Sequence, residues 1–578
     1  MKRLLGFLFC IATSSYGLSD KHKLGVDVQN VQNADPDATV DVIVQYRTPP
    51  TEANHNKVAR RGGALKQSLE IVNGAHYSVP ARVLEELASD PEVDYITLDR
   101  PVQATLDYAN PTVNANIAFQ YGYQGTGIGV AVIDSGVIGV YDLQSGAVKS
   151  SKVSRVVYSQ GFASDTKQAA DLYGHGTHVA GIVAGNANLS SGPTYSHTFR
   201  GIAPGANIVN LRVLDYTGAG TDSSVIAAIQ QAINLKSQYN IRIINLSLGR
   251  PVYESYTKDP LCQAVEQAWK AGIVVVVAAG NNGRDNSQGT NGYGTINAPA
   301  NDPFVITVGA MKDMQTVSRA DDLIASYSSK GPTLIDHIVK PDIVAPGNRI
   351  ISLLASASFI SSSTTVNQVP YSYYEIGGPN NYSAYYYKLS GTSMAAPMVS
   401  GAAALLLQKT PTLTPDQVKA RLMKTATKSF PGSSVACDPV TKACYSSQYD
   451  IFTVGAGYLD VWAALNDSDL ASGSTLSPTA VFDSSTGNVY VVNTSGPNGT
   501  AAVWGTAAVW GTAAVWGTSV FVNSSAAVWG SAAVWGTAAV WGTSTVQGFA
   551  AVWGTAAVWG TSNQTGGESI TLLVNGEN

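Results

Sequence analysis

The stretch Gly391-Thr392-Ser393-Met394-Ala395-Ala396-Pro397 opens a run of small and apolar residues that continues to Leu407. Because this run is apolar on nearly all sides, it predicts a buried helix with Ser393 in its first turn. Free backbone N–H groups and the positive end of the helix dipole favour an anion beside that side chain. We interpret Pro397 as a first-turn proline, whose missing N–H has no partner within the helix. Two roles remain open for Ser393, a helix cap and a nucleophile.

Outward from this helix, short apolar runs alternate with helical stretches. Runs typical of strands cover residues 128–133, 208–214, 241–246, 273–279, 304–308 and 343–345, and helical patterns cover 224–233, 261–270 and the segment after Thr414. This alternation favours a parallel sheet with helices on both faces. In such a sheet, ligand sites form at the carboxyl ends of the strands. Polar residues that follow apolar runs are therefore the first candidates for a functional site.

Four polar side chains fit that rule. Asp134 directly follows the strand at 128–133, Asn281 follows the strand at 273–279, and His175 and Ser393 lie at the starts of predicted helices. A serine nucleophile needs a base to take its proton, the base needs a carboxylate to orient it, and the oxyanion needs a hydrogen-bond donor. The four residues supply each of these parts once. Their combination favours nucleophilic catalysis by Ser393 over a helix cap.

The blocks around Asp134, His175, Asn281 and Ser393 resemble the signature blocks of the subtilisin-like serine proteases, and the order Asp, His, Ser is that of subtilisin. Supporting matches are Ile244-Asn245-Leu246-Ser247-Leu248-Gly249, Ser328-Ser329-Lys330-Gly331-Pro332 and Lys340-Pro341-Asp342-Ile343-Val344-Ala345-Pro346-Gly347. The resemblance covers about residues 40 to 465. It implies an α/β fold of three layers, α/β/α, with a mainly parallel central sheet, within a catalytic domain over residues 107–467.

The resemblance also implies a role for each residue of the site. Ser393 attacks the peptide carbonyl, and His175 takes the serine proton and later delivers it to the leaving amine. Asp134 orients His175. Asn281 and the backbone N–H of Ser393 hold the oxyanion, and water hydrolyses the resulting acyl-enzyme. The expected activity is that of a serine endopeptidase acting on protein or peptide substrates.

The substrate-binding residues follow from the same resemblance. The substrate lies extended between Gly218-Ala219-Gly220 and Ser247-Leu248-Gly249, and pairs with them as an added strand. The pocket for the residue before the scissile bond is walled by Ser247-Leu248-Gly249 and Ala278-Ala279-Gly280. Because these walls are small and apolar, we expect the pocket to accept large apolar or aromatic residues.

Two places could hold a metal ion, and neither is expected to serve catalysis. Asp142 resembles a structural calcium ligand of the family, with a solvated loop aspartate as the alternative. Asp171, His175 and His178 could line one face of a helix as metal ligands. A hydrolytic zinc helix, however, requires a glutamate between its two histidines, and Gly176-Thr177 stands there instead. We therefore favour the role of His175 as a base.

The N-terminus predicts a secreted protein. Residues 1–17 have a basic start, an apolar core and a small-residue ending, which is the pattern of a secretory signal peptide and too short for a membrane span. In the oxidising compartment that this implies, Cys437 and Cys444 are close enough in sequence to form a small disulfide loop. Cys262 is interpreted as a buried apolar residue near a helix.

Residues 36–106 precede the catalytic domain and are predicted to form a small α+β unit, with strands at 40–46 and 93–98. The blocks Asn73-Gly74-Ala75-His76-Tyr77-Ser78-Val79-Pro80 and Leu84-Glu85-Glu86-Leu87-Ala88-Ser89-Asp90-Pro91-Glu92-Val93 resemble the inhibitory propeptide of subtilisin-like proteases. The resemblance implies a ferredoxin-like prodomain that blocks the cleft until it is cut away between Ala104 and Asn110. The protein would then be made as a self-inhibited precursor.

Residues 468–578 differ sharply in composition. Ala-Ala-Val-Trp-Gly occurs eight times, starting at residues 501, 507, 513, 526, 532, 538, 550 and 556, and no charged residue lies between Ser484 and Gly567. Three interpretations remain open: a stacked β-rich module, an aromatic ladder that binds a surface or self-associates, and a disordered low-complexity segment. The alternative function is accordingly adhesion or self-assembly, with this repeat tail as the main functional part.

The overall composition excludes nucleic acid as a natural partner. Charged residues make up 13% of the 578 residues and the formal net charge is −5, so the chain lacks the basic surface that nucleic-acid binding requires. The resemblance implies protein or peptide substrates and the chain's own propeptide as partners, and the signal-peptide pattern of residues 1–17 implies an extracellular location.

Overall fold

The structure is a computed structural model that describes residues 23–25, 28, 38–99, 101–104, 111–146, 153–192, 194–287, 289–471, 473–483, 488–492, 520–522 and 570–577. The predicted signal peptide and all eight repeats lie outside these ranges. The chain divides into two compact units, residues 1–68 with 73–98 and residues 69–72 with 99–578. Within the described ranges, no helix is long and apolar enough to cross a membrane.

The first unit is a four-stranded sheet with two helices. Its elements are β1 (Thr39–Tyr46), α1 (Glu52–Arg60), β2 (Ala64–Leu69), β3 (Gly74–Pro80), α2 (Leu84–Ala88) and β4 (Val93–Leu98). The strand order is β2-β3-β1-β4, and β1 is antiparallel to both β3 and β4. Alternate side chains of β1, Val42 and Val44, enter a core that also contains Leu84 and Leu87 of α2. The strands expected at 40–46 and 93–98 are both present.

The second unit contains the remaining elements. Its strands are β5 (Pro101–Ala104), β6 (Gly129–Asp134), β7 (Gln144–Ser145), β8 (Val153–Ser154), β9 (Val156–Gly161), β10 (Asn207–Arg212), β11 (Ala219–Thr221), β12 (Ile241–Leu246), β13 (Leu248–Gly249), β14 (Val274–Ala278), β15 (Ile306–Lys312), β16 (Leu323–Ile324), β17 (Ile343–Pro346), β18 (Ile350–Leu353), β19 (Gln368–Pro370), β20 (Tyr382–Leu389), β21 (Ser433–Cys437), β22 (Cys444–Gln448), β23 (Thr479–Asp483), β24 (Asn488–Val492) and β25 (Val520–Val522). Its helices are α3 (Ala115–Gln120), α4 (His175–Ala184), α5 (Asp222–Tyr239), α6 (Pro260–Lys270), α7 (Phe359–Ser363), α8 (Tyr371–Tyr374), α9 (Thr392–Lys409), α10 (Pro415–Thr425), α11 (Val461–Asn466) and α12 (Ile570–Asn575).

Eight strands form the central sheet of this unit. Their order is β16-β15-β14-β12-β6-β10-β9, and β17 pairs with β15. The pairings are parallel except for that of β15 with β16, which confirms the predicted mainly parallel α/β sheet. The strand β14 is buried along its whole length, as its continuous valine run predicts.

The two longest helices of this unit, α5 and α9, pack on the sheet. The helix α9 is buried from Thr392 to Leu407 and packs against β12, β14, β15, β17 and α4. The helix α5 packs against β6, β12 and α6. It is longer than the predicted 224–233, because the Thr221 hydroxyl accepts a hydrogen bond from Ser224 N at its start and Asn240 ends it in the left-handed conformation.

The second unit continues beyond residue 467, where the sequence suggested a separate tail. Ser477 is fully buried, and its Oγ donates to Asp342 Oδ1 at 2.5 Å and accepts from Lys419 Nζ at 2.9 Å. These are polar contacts with buried charges, which leave no hydrophobic pattern in the sequence. Earlier in the chain, Cys437 and Cys444 form the expected disulfide across β21 and β22. Cys262 is buried, and burial raises the pKa of its thiol.

Candidate active site

Asp134 and His175 form a buried pair. Asp134 is the last residue of β6 and His175 is the first residue of α4. Both side chains are 0% exposed, and Asp134 Oδ1 lies 2.5 Å from His175 Nδ1. The same carboxylate oxygen accepts a hydrogen bond from Ser135 N at 2.7 Å. A carboxylate in this position holds a proton on Nδ1 and leaves Nε2 as the basic nitrogen, so His175 is oriented to accept a proton.

Ser393 is the second residue of α9, and Gly391 is the residue that precedes the helix. The Ser393 hydroxyl donates to the Ser247 carbonyl oxygen at 3.1 Å. Interpreting Ser393 as a helix cap is therefore wrong, because its side chain bonds to a different segment of the chain and Gly391 occupies the cap position. Ser247 follows β12, the strand beside β6, which brings Ser393 to the sheet edge where Asp134 lies.

Pro397 lies in the second turn of α9, so its expected place in the first turn is also wrong. In a regular helix, the N–H of residue 397 would donate to the carbonyl of Ser393. Proline has no N–H, and the Ser393 carbonyl instead accepts a hydrogen bond from Ser247 Oγ at 2.6 Å. Ser247 and Ser393 are thus joined by two hydrogen bonds, in each of which one hydroxyl donates to the other residue's carbonyl. This pair fixes the backbone at Ser393.

Asn281 lies just beyond β14, and its amide has a fixed orientation. Its Oδ1 accepts hydrogen bonds from Thr392 N at 2.9 Å and from Thr392 Oγ1 at 3.1 Å. Its Nδ2 is buried and has no hydrogen-bond partner among the described residues. Buried donors without partners are rare in proteins. The arrangement leaves a donor available to an oxygen atom that develops negative charge nearby.

The two backbone edges expected to bind substrate are paired with a strand of this chain. The strand β5 lies between β11 and β13 and is antiparallel to both. Gln103 is opposite Ala219 on one side and Gly249 on the other, and Ala104 is opposite Leu248. This is the geometry of an extended peptide added between two edges.

Two side chains beside these segments were not singled out from the sequence. Tyr173 stacks near His175, with ring centroids 6.4 Å apart. Its position two residues before His175 was the available signal. Asn297 packs against two of the predicted pocket walls, because a methyl group added at Gly280 would lie 2.8 Å from Asn297 Nδ2 and one at Gly249 would lie 3.1 Å from Asn297 Cβ. No motif marks Asn297, since its contacts arise only in the folded chain.

The hypothesis of a metal site at Asp171, His175 and His178 is not supported. Asp171 accepts hydrogen bonds from the backbone N–H groups of Gly174 and Thr177 at 2.6 and 2.8 Å. His178 Nε2 lies 3.2 Å from the Ile350 carbonyl oxygen, and burial lowers the pKa of His178 to about 3. Donors and carbonyls therefore occupy the positions that a cation would need. Among the described residues, no group of three or more His, Cys, Asp or Glu could hold a metal ion.

Gly176 excludes a glutamate at its own position between the two histidines. A Cβ atom at this position would lie 2.2 Å from the Gly136 carbonyl oxygen, so any side chain would clash with backbone. The close approach of α4 to the segment after β6 thus requires glycine.

The surroundings of Asp142 do not fit a calcium ion at its carboxylate. Asp142 Oδ1 accepts from Leu189 N at 2.9 Å, and Oδ2 accepts from the Tyr386 hydroxyl at 2.6 Å. The Arg155 guanidinium donates to the Asp142 backbone carbonyl at 2.6 Å and to that of Ala184 at 2.7 Å. Burial raises the pKa of Asp142 to about 6. Hydrogen-bond donors and a buried cationic side chain already surround this carboxylate, so no metal-dependent role is assigned to it.

Comparison with known proteins gives consistent matches. A profile described as the Subtilase family matches residues 125–437. The chain is 38% identical to serine protease AprX of Bacillus subtilis over 63% of its own length and 76% of the relative's, and 33% identical to subtilisin E of the same species over 64% and 80%. It is also 33% identical to an extracellular serine proteinase of a Thermus species, over 62% and 71%. The crystal structure of fervidolysin from Fervidobacterium pennivorans superposes with a TM-score of 0.55 at 22% identity, covering 79% of this chain and 63% of that one, which supports the fold alone.

Proposed function

The chain belongs to the subtilase family and is a serine endopeptidase, and from this we propose that it hydrolyses peptide bonds through Asp134, His175 and Ser393. The observation that carries the proposal is the buried 2.5 Å contact between Asp134 Oδ1 and His175 Nδ1. It supplies an oriented base at the sheet edge to which Ser247 ties Ser393.

In the proposed mechanism, Ser393 Oγ attacks the carbonyl carbon of the scissile peptide while His175 Nε2 takes the hydroxyl proton. Asp134 stabilises the resulting imidazolium and keeps its ring in place. The tetrahedral intermediate collapses when His175 delivers the proton to the leaving amine. A water molecule then repeats the sequence on the acyl-enzyme, with His175 again as base, and regenerates Ser393.

The oxyanion in this mechanism is held by Asn281 Nδ2 and the backbone N–H of Ser393. The unpartnered Nδ2 supports this role, because a donor without a partner in the free enzyme gives up no hydrogen bond when it donates to the oxyanion. The bonds from Thr392 to Asn281 Oδ1 keep the amide from rotating.

Asn281→Ala is expected to lower kcat by about 10²- to 10³-fold and to change KM little, since it removes a bond made mainly in the transition state. Steady-state kinetics on a chromogenic peptide measure both constants. Asn282→Ala is the matched control, because its Nδ2 is directed to Asn297 Oδ1 at 3.3 Å, and it should retain kcat within about tenfold. Equal losses in the two variants would remove Asn281 from the oxyanion site.

For substrate, we propose that an extended peptide takes the place of β5 between Gly218-Ala219-Gly220 and Ser247-Leu248-Gly249. The residue before the scissile bond would enter the pocket walled by Ser247-Leu248-Gly249 and Ala278-Ala279-Gly280. The walls Ala278, Ala279 and Leu248 are apolar and buried, which supports the preference for large apolar side chains. The amide of Asn297 adds a polar group beside these walls.

We propose further that residues 36–106 act as an inhibitory propeptide, and that residues 1–17 direct secretion and are removed. The support for inhibition is the position of β5 on the substrate edges. The last residue of β5, Ala104, is opposite Leu248, the neighbour of Ser247, whose carbonyl accepts the Ser393 hydroxyl. We therefore propose self-cleavage shortly after Ala104, at the bond between Thr105 and Leu106; residues 105–110 themselves lie outside the described ranges.

The first self-cleavage is therefore expected to release a propeptide that ends at Thr105, one residue before the boundary of 106 expected from the sequence, and a mature chain that begins at Leu106. Mass spectrometry of both fragments, taken during the first turnover of the refolded precursor, checks the site before later trimming. Thr105→Pro should slow this cut or move it, whereas Thr97→Ala, outside β5, should leave it in place. A first cut before Pro101 would contradict the proposed register.

A further inference from the structure

The last described residues, 570–577, form a buried segment that we call the C-terminal clip. It consists of α12 followed by Gly576 and Glu577. The side chains of Leu572 and Leu573 are buried, and Glu577 is 1% exposed. This segment follows a stretch of more than eighty uncharged residues, yet its apolar and acidic side chains are buried. Burial of this kind indicates that the segment binds at a specific site.

The carboxylate of Glu577 lies in a socket of positive charges and donors. Its Oε1 is 2.7 Å from Arg284 Nη2, and its Oε2 is 3.7 Å from Lys312 Nζ. The backbone N–H of Ser326 lies 3.1 Å from both oxygens, and the Ser326 hydroxyl also donates to Oε1. A buried carboxylate is stable only where such partners replace its water shell. Arg284 also pairs through Nη1 with Asp438 Oδ2 at 2.6 Å. We infer that Arg284, Lys312 and Ser326 form a socket that binds the Glu577 carboxylate.

The backbone of the clip is held as well. Asn348 Nδ2 donates to the Glu577 carbonyl at 3.0 Å, and Glu577 N donates to Asn348 Oδ1 at 2.8 Å. Gly576 has a φ of +60°, and a Cβ atom there would lie 2.4 Å from Ser390 Oγ. The position therefore requires glycine. These contacts fit the segment Gly576-Glu577 in particular rather than any acidic chain end.

The clip contacts the junction that leads into the nucleophile helix. Ser390 N donates to the Leu573 carbonyl at 2.9 Å, and Ser390 directly precedes Gly391, the residue before α9. The Ser390 hydroxyl also accepts from Arg349 N at 3.1 Å. The clip thus stabilises the turn from which Ser393 projects.

Residues that precede the repeats are also bound to the catalytic fold. Ala480 N donates to the His337 carbonyl at 2.8 Å, and Val339 N donates to the Pro478 carbonyl at 2.8 Å. The catalytic fold thus binds the chain both before and after the repeat region.

We propose that the clip is an integral part of the catalytic fold, so that the chain is bound to the peptidase on both sides of the repeats rather than on one side only. This proposal does not depend on the catalytic roles given above. Its consequence is that a cut within the repeats leaves both resulting ends bound to the peptidase, and the repeats stay attached.

The direct test cuts the chain within the repeat region. In the full chain carrying Ser393→Ala, a recognition sequence for a site-specific protease is inserted between Gln547 and Gly548, cut, and followed by native gel filtration. With the clip intact, the fragment that follows the cut should co-elute with the catalytic unit. Adding Glu577→Ala should raise the apparent dissociation constant of this fragment at least about 30-fold, because the fragment loses its ion pairs with Arg284 and Lys312. A fragment that leaves equally fast with Glu577 present overturns the proposal.

A second measurement uses the uncut, active enzyme. Glu577→Ala should lower its unfolding temperature by about 5 °C or more, because it removes a buried carboxylate that pairs with Arg284 and Lys312, while Arg284 keeps its pair with Asp438. Glu266→Ala is the matched control, since it removes a carboxylate that pairs with the half-exposed Lys270 across one helical turn, and should lower it by less than about 1 °C. Equal shifts would show that the clip adds nothing to the fold. If Glu577→Ala cannot be purified, the cut protein with Glu577 intact still tests the proposal: co-elution of the fragment supports it and loss of the fragment overturns it.

Discussion

Ser393→Ala is expected to lower kcat/KM for peptide hydrolysis by at least about 10⁴-fold and to leave the precursor uncut. The reason is that alanine has no atom to form the acyl-enzyme, so only the binding and oxyanion contacts remain. The fold should persist, because the Ser393 carbonyl keeps its bond from Ser247 Oγ when the bond from the Ser393 hydroxyl to the Ser247 carbonyl is lost. Peptide kinetics and gel analysis of the precursor measure both effects.

Ser400→Ala is the matched control for this variant. Ser400 is also buried on α9, and its hydroxyl donates to Asn245 Oδ1 at 2.8 Å. Its loss should leave activity within about tenfold and allow normal maturation. A Ser393→Ala protein that matures by itself and hydrolyses peptides would refute the assignment of the nucleophile.

Asp134→Asn is expected to lower kcat by about 10⁴-fold near neutral pH. The asparagine amide can donate to His175 Nδ1, which shifts the ring proton to Nε2 and leaves no lone pair there to accept the serine proton. It also removes the negative charge that stabilises the imidazolium. Because both side chains are 0% exposed, water cannot replace the lost carboxylate. Steady-state kinetics with a peptide substrate measure the loss.

Asp171→Asn separates this effect from the loss of any nearby buried carboxylate. Asp171 is also buried, and its carboxylate binds the backbone at Gly174 and Thr177, which surround His175 in sequence. The variant should lower thermal stability, while the folded fraction keeps kcat within about tenfold. If Asp171→Asn removes activity as fully as Asp134→Asn, Asp134 has been wrongly assigned as the carboxylate partner of His175. A metal site at Asp171, His175 and His178 would then have to be tested again.

The catalytic candidates and the parallel sheet could be predicted because their signals are local. Strand β14 is a continuous valine run, Asn281 lies just beyond it, and Asp134 is the last residue of the apolar strand β6. Helix α10 begins directly after Thr414, where the sequence predicts a helix, and Thr414 and Gln417 form a capping box at its start. Periodicity and capping depend on residues a few positions apart, so the sequence alone is enough to identify them.

Contacts between distant residues could not be predicted in this way. Ser247 and Ser393 are 146 positions apart, and their reciprocal hydrogen bonds depend on how β12 and α9 pack. The same packing explains the error at Pro397, because the carbonyl that it leaves without a helical partner is satisfied by Ser247. Glu577 and Arg284 are 293 positions apart, and a single buried carboxylate leaves no periodic pattern. Polar contacts of this kind carry no sequence signal of their own.

The most direct test of the central claim is active-site labelling of the mature enzyme with a serine-directed phosphonylating reagent. The account predicts that one phosphonyl group binds per active enzyme, that activity falls in proportion to labelling, and that the modified peptide carries the group on Ser393. Asp134→Asn should be labelled much more slowly at the same residue, because the base that activates Ser393 is impaired. Loss of activity with Ser393 unmodified, or with the label on another serine, would contradict the account.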